Sequence, residues 1–213
     1  MSLHLKNFIY VTRLNKPIGF LLLFWPCAWG LSLAYYFQKD IDIFIYYFFL
    51  FFCGSVLMRS AGCIVNDIVD EKIDKKVSRT KKRPIASGSL NKNLAWTYVI
   101  ILCSLAFFVL IQFNLLTISL GAFSMIFAFS YPFMKRFTYW PQLFLGFTFN
   151  WGIIMAWTAM TNEISYLPIL LYVGAIFWTL GYDTIYGLQD ASDDEVIGVK
   201  STSIKFKNNL NLF

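Results

Sequence analysis

The chain has 213 residues, of which 58% are hydrophobic, 20% aromatic and only 14% charged, a balance too apolar for a soluble domain of this size. The single histidine, His4, excludes a His-based metal site and a Ser-His-Asp triad, so any metal here is held by oxygen. The net charge of +6 is concentrated on one side of the apolar runs and gives no warrant for a nucleic-acid partner.

In chain order, a short segment carrying Arg13 and Lys16 precedes the first apolar run, which is too long for a signal-peptide core. Apolar runs of about 20 residues, enough to cross a hydrocarbon core of about 30 Å, recur at Ile18–Phe37, Ile41–Val65, Ala95–Phe113, Leu115–Met134, Pro141–Met160 and Ile164–Gly187. The expectation is an all-α, polytopic transmembrane helical bundle of six spans, forming one domain over residues 1–213. Cys27, Cys53, Cys63 and Cys103 fall singly inside the spans and read as packing residues. No Pro- or Ser-rich linker interrupts the pattern.

All of the 18 basic residues except Lys39 and Arg59 lie in the N-terminal segment, the loops after spans two and four, and the C-terminal tail. The positive-inside rule therefore places both termini and those loops in the cytoplasm. Asp67, Asp70, Glu71, Asp74, Asp183, Asp190, Asp193, Asp194 and Glu195 share that side. A face that is both the most acidic and the most basic part of the chain suits a charged ligand held through cations.

The first acidic cluster follows span two. Asn66, Asp70 and Asp74 are four residues apart, so a continuing helix stacks them on one face at about 40° per step. Such a column suits Mg2+, which takes one or two carboxylates, keeps several waters and fills its shell with substrate phosphates. The loop beyond it holds Lys75, Lys76, Arg79, Lys81, Lys82 and Arg83, then Pro84 and Ser87-Gly88 as a turn. Arginine forks match phosphate oxygens in pairs, which singles out Arg79 and Arg83. Arg59 lies two turns before Asn66, about 10 Å deeper on the same face, where an intramembrane arginine marks a ligand anion or an internal partner.

The second cluster ends span six. Asp183, Tyr186, Asp190 and Asp194 recur at three or four residues and share a helical face, whereas Asp193 and Glu195 point elsewhere. Two carboxylate faces at one membrane depth repel unless cations lie between them. A cation or proton pathway is the competing reading, but the acids do not continue toward the other side of the membrane.

"NDIVDEKID" (66–74) and "DTIYGLQDASDD" (183–194) resemble the two Asp-rich motifs of the UbiA superfamily of intramembrane prenyltransferases. "RLNKPIGFLLLFWPCAWG", "RTKKRPIASG" and "YPFMKRFTYWPQLFLG" are similar to its 4-hydroxybenzoate polyprenyltransferase branch. The resemblance implies transfer of a polyprenyl group from polyprenyl diphosphate to the ring carbon ortho to the phenol of 4-hydroxybenzoate, in ubiquinone biosynthesis within a lipid bilayer. It further implies Mg2+ held by Asn66, Asp70, Asp74, Asp190 and Asp194, with Asp67 supporting. Catalysis falls to Asp70, Asp190, Asp183 and Arg79, with Asp183 orienting the phenol or taking the ring proton. Substrate binding falls to Arg59, Asp67, Lys82, Arg83, Arg136 and Tyr186. Phe20, Trp25, Tyr131 and Phe147 are candidates to shield an allylic cation.

Relatives in the family have nine spans, so the expectation is a chain lacking the last three and ending in "KFKNNLNLF". Other acceptors within the superfamily, a cation-coupled transporter and an inactive remnant are the alternatives. The membrane expected is a bacterial inner membrane with the site facing the cytoplasm, ahead of the mitochondrial inner membrane.

Overall fold

A computed structural model describes residues 3–189, Ala191, Glu195 and 198–207. The described residues form helices and no strand. A short α1 (Leu3–Thr12) leads to α2 (Ile18–Gln38) and the 29-residue α3 (Ile41–Val69), followed by a single turn, α4 (Glu71–Asp74). Next come α5 (Lys92–Leu110), α6 (Leu115–Phe137), α7 (Pro141–Asn150), α8 (Gly152–Thr161), α9 (Tyr166–Gly187) and α10 (Thr202–Phe206).

Helix starts follow local capping chemistry. Asp40, Asn91 and Asn114 accept hydrogen bonds from Ile43 N, Asn93 N and Thr117 N at 3.0, 2.9 and 2.9 Å, satisfying amides that a helix start leaves without partners. α2 and α8 stop where Lys39 and Asn162 turn left-handed, at φ 55° and 56°.

Five stretches are long and apolar enough to cross a membrane: α2, α3, α5, Pro141–Thr161 and α9. The fourth expected span corresponds to α6, whose apolar stretch, Leu115–Tyr131, falls short. Its last turn carries Lys135 and Arg136 and so belongs to the charged end. The fifth expected span is two helices, because the chain breaks at Trp151. That break lets α7 pack on α9 while α8 packs on α2.

α2 is central, touching α3, α7, α8 and α9, and α5 closes the far side of α3. Val11, Ile64, Val99 and Leu102 knit α1, α3 and α5; Phe24, Leu31, Phe51 and Ala156 knit α2, α3 and α8; Ile153, Tyr172 and Ile176 knit α8 and α9. Ile100, Phe108, Phe177 and Trp178 are exposed, as lipid-facing side chains are. Polar side chains fasten helices internally: Thr117 and Thr158 hydroxyls meet at 2.9 Å, and the Asn150 amide donates to Thr179 Oγ1 at 2.8 Å and Ala175 O at 3.1 Å.

Candidate active site

α3 carries Asn66, Asp67 and Asp70 to the charged end and stops one residue short of Asp70, whose backbone leaves helical geometry at φ −93°, ψ 3°. The uninterrupted helix expected through Asp74 is thus corrected to α3, a break and α4. The register survives, because Asp70 N donates to Asn66 O at 2.9 Å and Asp74 N donates to Asp70 O at 2.8 Å. Asn66, Asp70 and Asp74 all line one cavity of about 270 Å³.

Across that cavity stand Asp183 and Tyr186 from the last turns of α9, and Tyr131 and Lys135 from α6. Arg79, Thr80 and Arg83 close it from the basic loop, and Gln142, Lys200 and Ser201 from below α9. Asp183 and Tyr186 of the second acidic region thus line the same cavity as Asn66, Asp70 and Asp74. Asp190, Asp193 and Asp194 lie outside the described residues.

The carboxylates are compensated by protein cations. Asp67, 2% exposed, accepts from Arg13 Nη2 at 2.5 Å and Arg83 Nη1 at 3.1 Å. Arg83 Nη1 also donates to Asp74 Oδ2 at 2.8 Å. Lys135 Nζ pairs with Asp70 Oδ2. Arg13, Arg83 and Lys135 oppose the repulsion within the first acidic cluster. Burial works against the Arg13 charge, yet Asp67, Cys63 and Asp74 together hold its pKa above the ordinary value. Glu71, hydrogen-bonded first by Lys75 and then by Lys92, is pulled down to about 2.

Room for a hard cation remains. Among the described residues Asp70 Oδ1 is buried without a hydrogen-bond partner, and Arg136 Nη2 stands 3.7 Å from it. Among the described residues no three His, Cys, Asp or Glu side chains converge on one point. A donor set of Asp70 and Asn66 on the cavity wall nonetheless fits Mg2+, which needs few protein oxygens when phosphates complete its shell.

Several predicted substrate contacts stand off the wall. Asp67 faces Arg13 and Arg83, and reaches the cavity only by holding Arg83. Lys82 is exposed and Arg136 donates to Val69 O at 3.2 Å, closing the end of α3, so neither lines the cavity. Arg59 is also outside it, with its guanidinium 5.3 Å over Phe149 and its Nε buried against Gly19, without a hydrogen-bond partner among the described residues. Of the four candidate shielding aromatics only Tyr131 lines the cavity; Phe20 packs edge-on against Phe52, Phe147 stacks on Phe127, and Trp25 is exposed.

Lys135, Gln142 and Lys200 were not singled out from sequence. Lys135 was within reach: it lies one turn after Tyr131 on the same helical face, whereas Arg136 is rotated by about 100°. Gln142 and Lys200 depend on a strap of residues 199–206 that no local pattern announces. Lys200 N donates to Lys135 O at 3.0 Å, Thr202 N to Gln142 Oε1 at 3.0 Å, and Ser203 Oγ to Thr184 O at 2.7 Å, with Thr184 and Thr202 hydroxyls 2.6 Å apart.

The UbiA prenyltransferase family matches residues 23–213. A Caenorhabditis elegans protein named 4-hydroxybenzoate polyprenyltransferase, mitochondrial, is 46% identical over 203 residues, covering 95% of this chain and 56% of its own length. A Vibrio atlanticus 4-hydroxybenzoate octaprenyltransferase is 45% identical over 201 residues, covering 94% of this chain and 69% of its own. The chain thus spans little more than half the length of the mitochondrial relative. Among solved structures, the apo UbiA homolog from Aeropyrum pernix K1 has a TM-score of 0.69 at 28% identity, over 84% of this chain and 67% of that one. A UbiA homolog from Archaeoglobus fulgidus bound to DMAPP and Mg2+ shares the fold, with a TM-score of 0.71 at 17% identity over 94% and 69% of the two chains. With the apolar helices, these matches make this a multi-pass membrane protein, and the chain belongs to the UbiA prenyltransferase family.

Proposed function

We propose that the chain transfers a polyprenyl group from polyprenyl diphosphate to the ring carbon ortho to the phenol of 4-hydroxybenzoate, a step of ubiquinone biosynthesis. The observation that carries this reading is the single cavity in which Asn66 and Asp70 face Asp183 and Tyr186, ringed by Arg79, Arg83, Lys135 and Lys200. The names of the relatives, which describe 4-hydroxybenzoate prenyl transfer, support the acceptor. A neighbour bound to DMAPP and Mg2+ supports a metal and a diphosphate.

Asn66 and Asp70 would hold Mg2+, with Asp74, Asp190 and Asp194 as further ligands. When bound, the ion neutralises diphosphate charge as the allylic C–O bond breaks. Arg83, held in place by Asp67 and Asp74, aims its guanidinium at the same oxygens, and Arg79 and Lys200 add charge from the rim. Tyr131 offers its ring to the allylic cation from within the cavity. Arg59, whose Nε has no hydrogen-bond partner among the described residues, takes the carboxylate of the acceptor, and Asp183, on the same cavity wall as Asn66 and Asp70, accepts the ring proton. That loss restores aromaticity after the ring carbon attacks.

The test is a membrane assay of this chain with 4-hydroxybenzoate, a short prenyl diphosphate and Mg2+, following the 3-prenylated acid with an EDTA control. Product that requires Mg2+ and vanishes in Asp70→Asn supports the reading. Absence of product beside an active longer relative overturns it for this chain.

A further inference from the structure

Lys135 and Arg83 both pair with carboxylates on the cavity wall, yet their settings differ. Arg83 bridges Asp67 and Asp74, and Asp67 is further fixed by Arg13. Its fork has no single bond to exchange. Among the described residues Lys135 pairs with one carboxylate, that of Asp70, from the end of a flexible four-carbon stem. The backbone of Lys135 is held, since its carbonyl accepts from Lys200 N at 3.0 Å, so only the side chain is free to swing. The other oxygen of Asp70, which itself lines the cavity, is buried without a hydrogen-bond partner among the described residues, with Arg136 Nη2 3.7 Å from it.

We propose that the Lys135 ammonium is a resident counterion that competes with the divalent metal for Asp70, and that it is released only when a diphosphate arrives to accept it. The inference rests on the prenyltransferase reading above and adds an order of events to it. A divalent ion entering alone must compete with Lys135 for Asp70 and would leave the displaced ammonium without its carboxylate. A metal entering with diphosphate brings the anion onto which Lys135 turns, so both sets of charges stay paired. Metal and diphosphate affinities are therefore linked, each raising the other by the same factor. The consequence is a site that stays closed to free metal and opens to the metal with its substrate.

Equilibrium dialysis of Mn2+ against the full chain in detergent micelles, with and without inorganic pyrophosphate, tests this without turnover; dialysis of Mn2+ with pyrophosphate alone corrects for chelation. In the unmodified chain, pyrophosphate should tighten Mn2+ binding by about tenfold or more. Lys135→Met should bind Mn2+ alone about tenfold more tightly than the unmodified chain and lose most of the gain from pyrophosphate, whereas Lys135→Arg, which keeps the charge, should stay weak for the free ion. Adding Asp70→Asn to Lys135→Met should abolish the tighter binding, and near-native thermal unfolding of the variants checks the fold. No Mn2+ binding by the unmodified chain under either condition would overturn the metal-dependent reading itself. Coupled binding in the unmodified chain with an unchanged or weakened Mn2+ affinity in Lys135→Met would overturn the counterion exchange and leave that reading intact.

Discussion

The α2–α8 crossing and the charged end of α3 solve opposite problems with the same chain. At the crossing, Gly30 on α2 lies against the Ile153 carbonyl and Gly152 on α8 lies against Cys27 Sγ, so two backbones approach through reciprocal gaps. In lipid, where apolar surface gains nothing from leaving water, such close contact is what holds helices together. At the charged end, α3 and the α4 turn after it instead bury Asp67, Asp70 and Asp74, each 2–5% exposed, and cations drawn from α1's exit, the basic loop and α6 hold them. The first region is held by close packing of uncharged groups; the second is stable only while every charge keeps a partner.

The comparison is broken most sharply at Asp70. Asp70→Asn removes the charge that faces both Lys135 and the proposed metal, and prenyl transfer should fall by at least about 10³-fold, about 4 kcal/mol of transition-state stabilisation. Initial rates in membranes, alongside thermal unfolding in detergent, separate this from a folding defect. Restoration of most of the rate by Mn2+ in place of Mg2+ would instead limit Asp70 to tuning metal affinity.

Asp67→Asn should act on the fold first. It leaves Arg13 and Arg83 without their shared carboxylate, and breaking a buried pair from one side costs about 3 kcal/mol. The expected outcome is a lowered unfolding midpoint, with residual activity impaired through a misplaced Arg83. Native stability with full loss of turnover would mean that Asp67 touches substrate directly.

At the crossing, Gly30→Ala places a methyl group against the Ile153 carbonyl, with the Ala156 side chain 3.0 Å away. Overpacking of this kind costs about 1–3 kcal/mol. Unfolding should shift while the apparent affinity for pyrophosphate does not, because the charged end is untouched. A change in pyrophosphate affinity would show that the two regions are mechanically coupled.

How much of this was legible in sequence follows the same division. The spans and the two acidic motifs rest on patterns local enough to read: apolar length, and oxygen-bearing residues at helical spacing. The pairings of Asp67 with Arg13 and of Asp70 with Lys135 join residues 54 and 65 positions apart, and no periodicity encodes them. The break at Trp151 was hidden because an apolar run of 21 residues looks the same whether one helix or two fill it. Lys82 and Arg83 show the limit at finest scale: neighbours with like charge, one exposed and one locked between two aspartates.

That last pair gives the smallest expected effect and a direct check on the site's boundary. Lys82→Ala removes a solvated charge from a loop side chain off the cavity wall, so stability should change by less than about 0.5 kcal/mol. Screening leaves it at most a weak, salt-dependent influence on the KM for prenyl diphosphate. Arg83→Ala, one residue on, should raise that KM and slow turnover together, because the same guanidinium anchors Asp74 and faces the cavity. Equal losses in the two variants, insensitive to salt, would mean that the basic loop closes down on the diphosphate and brings Lys82 inward. The site would then extend beyond the cavity that Asn66, Asp70 and Asp183 define.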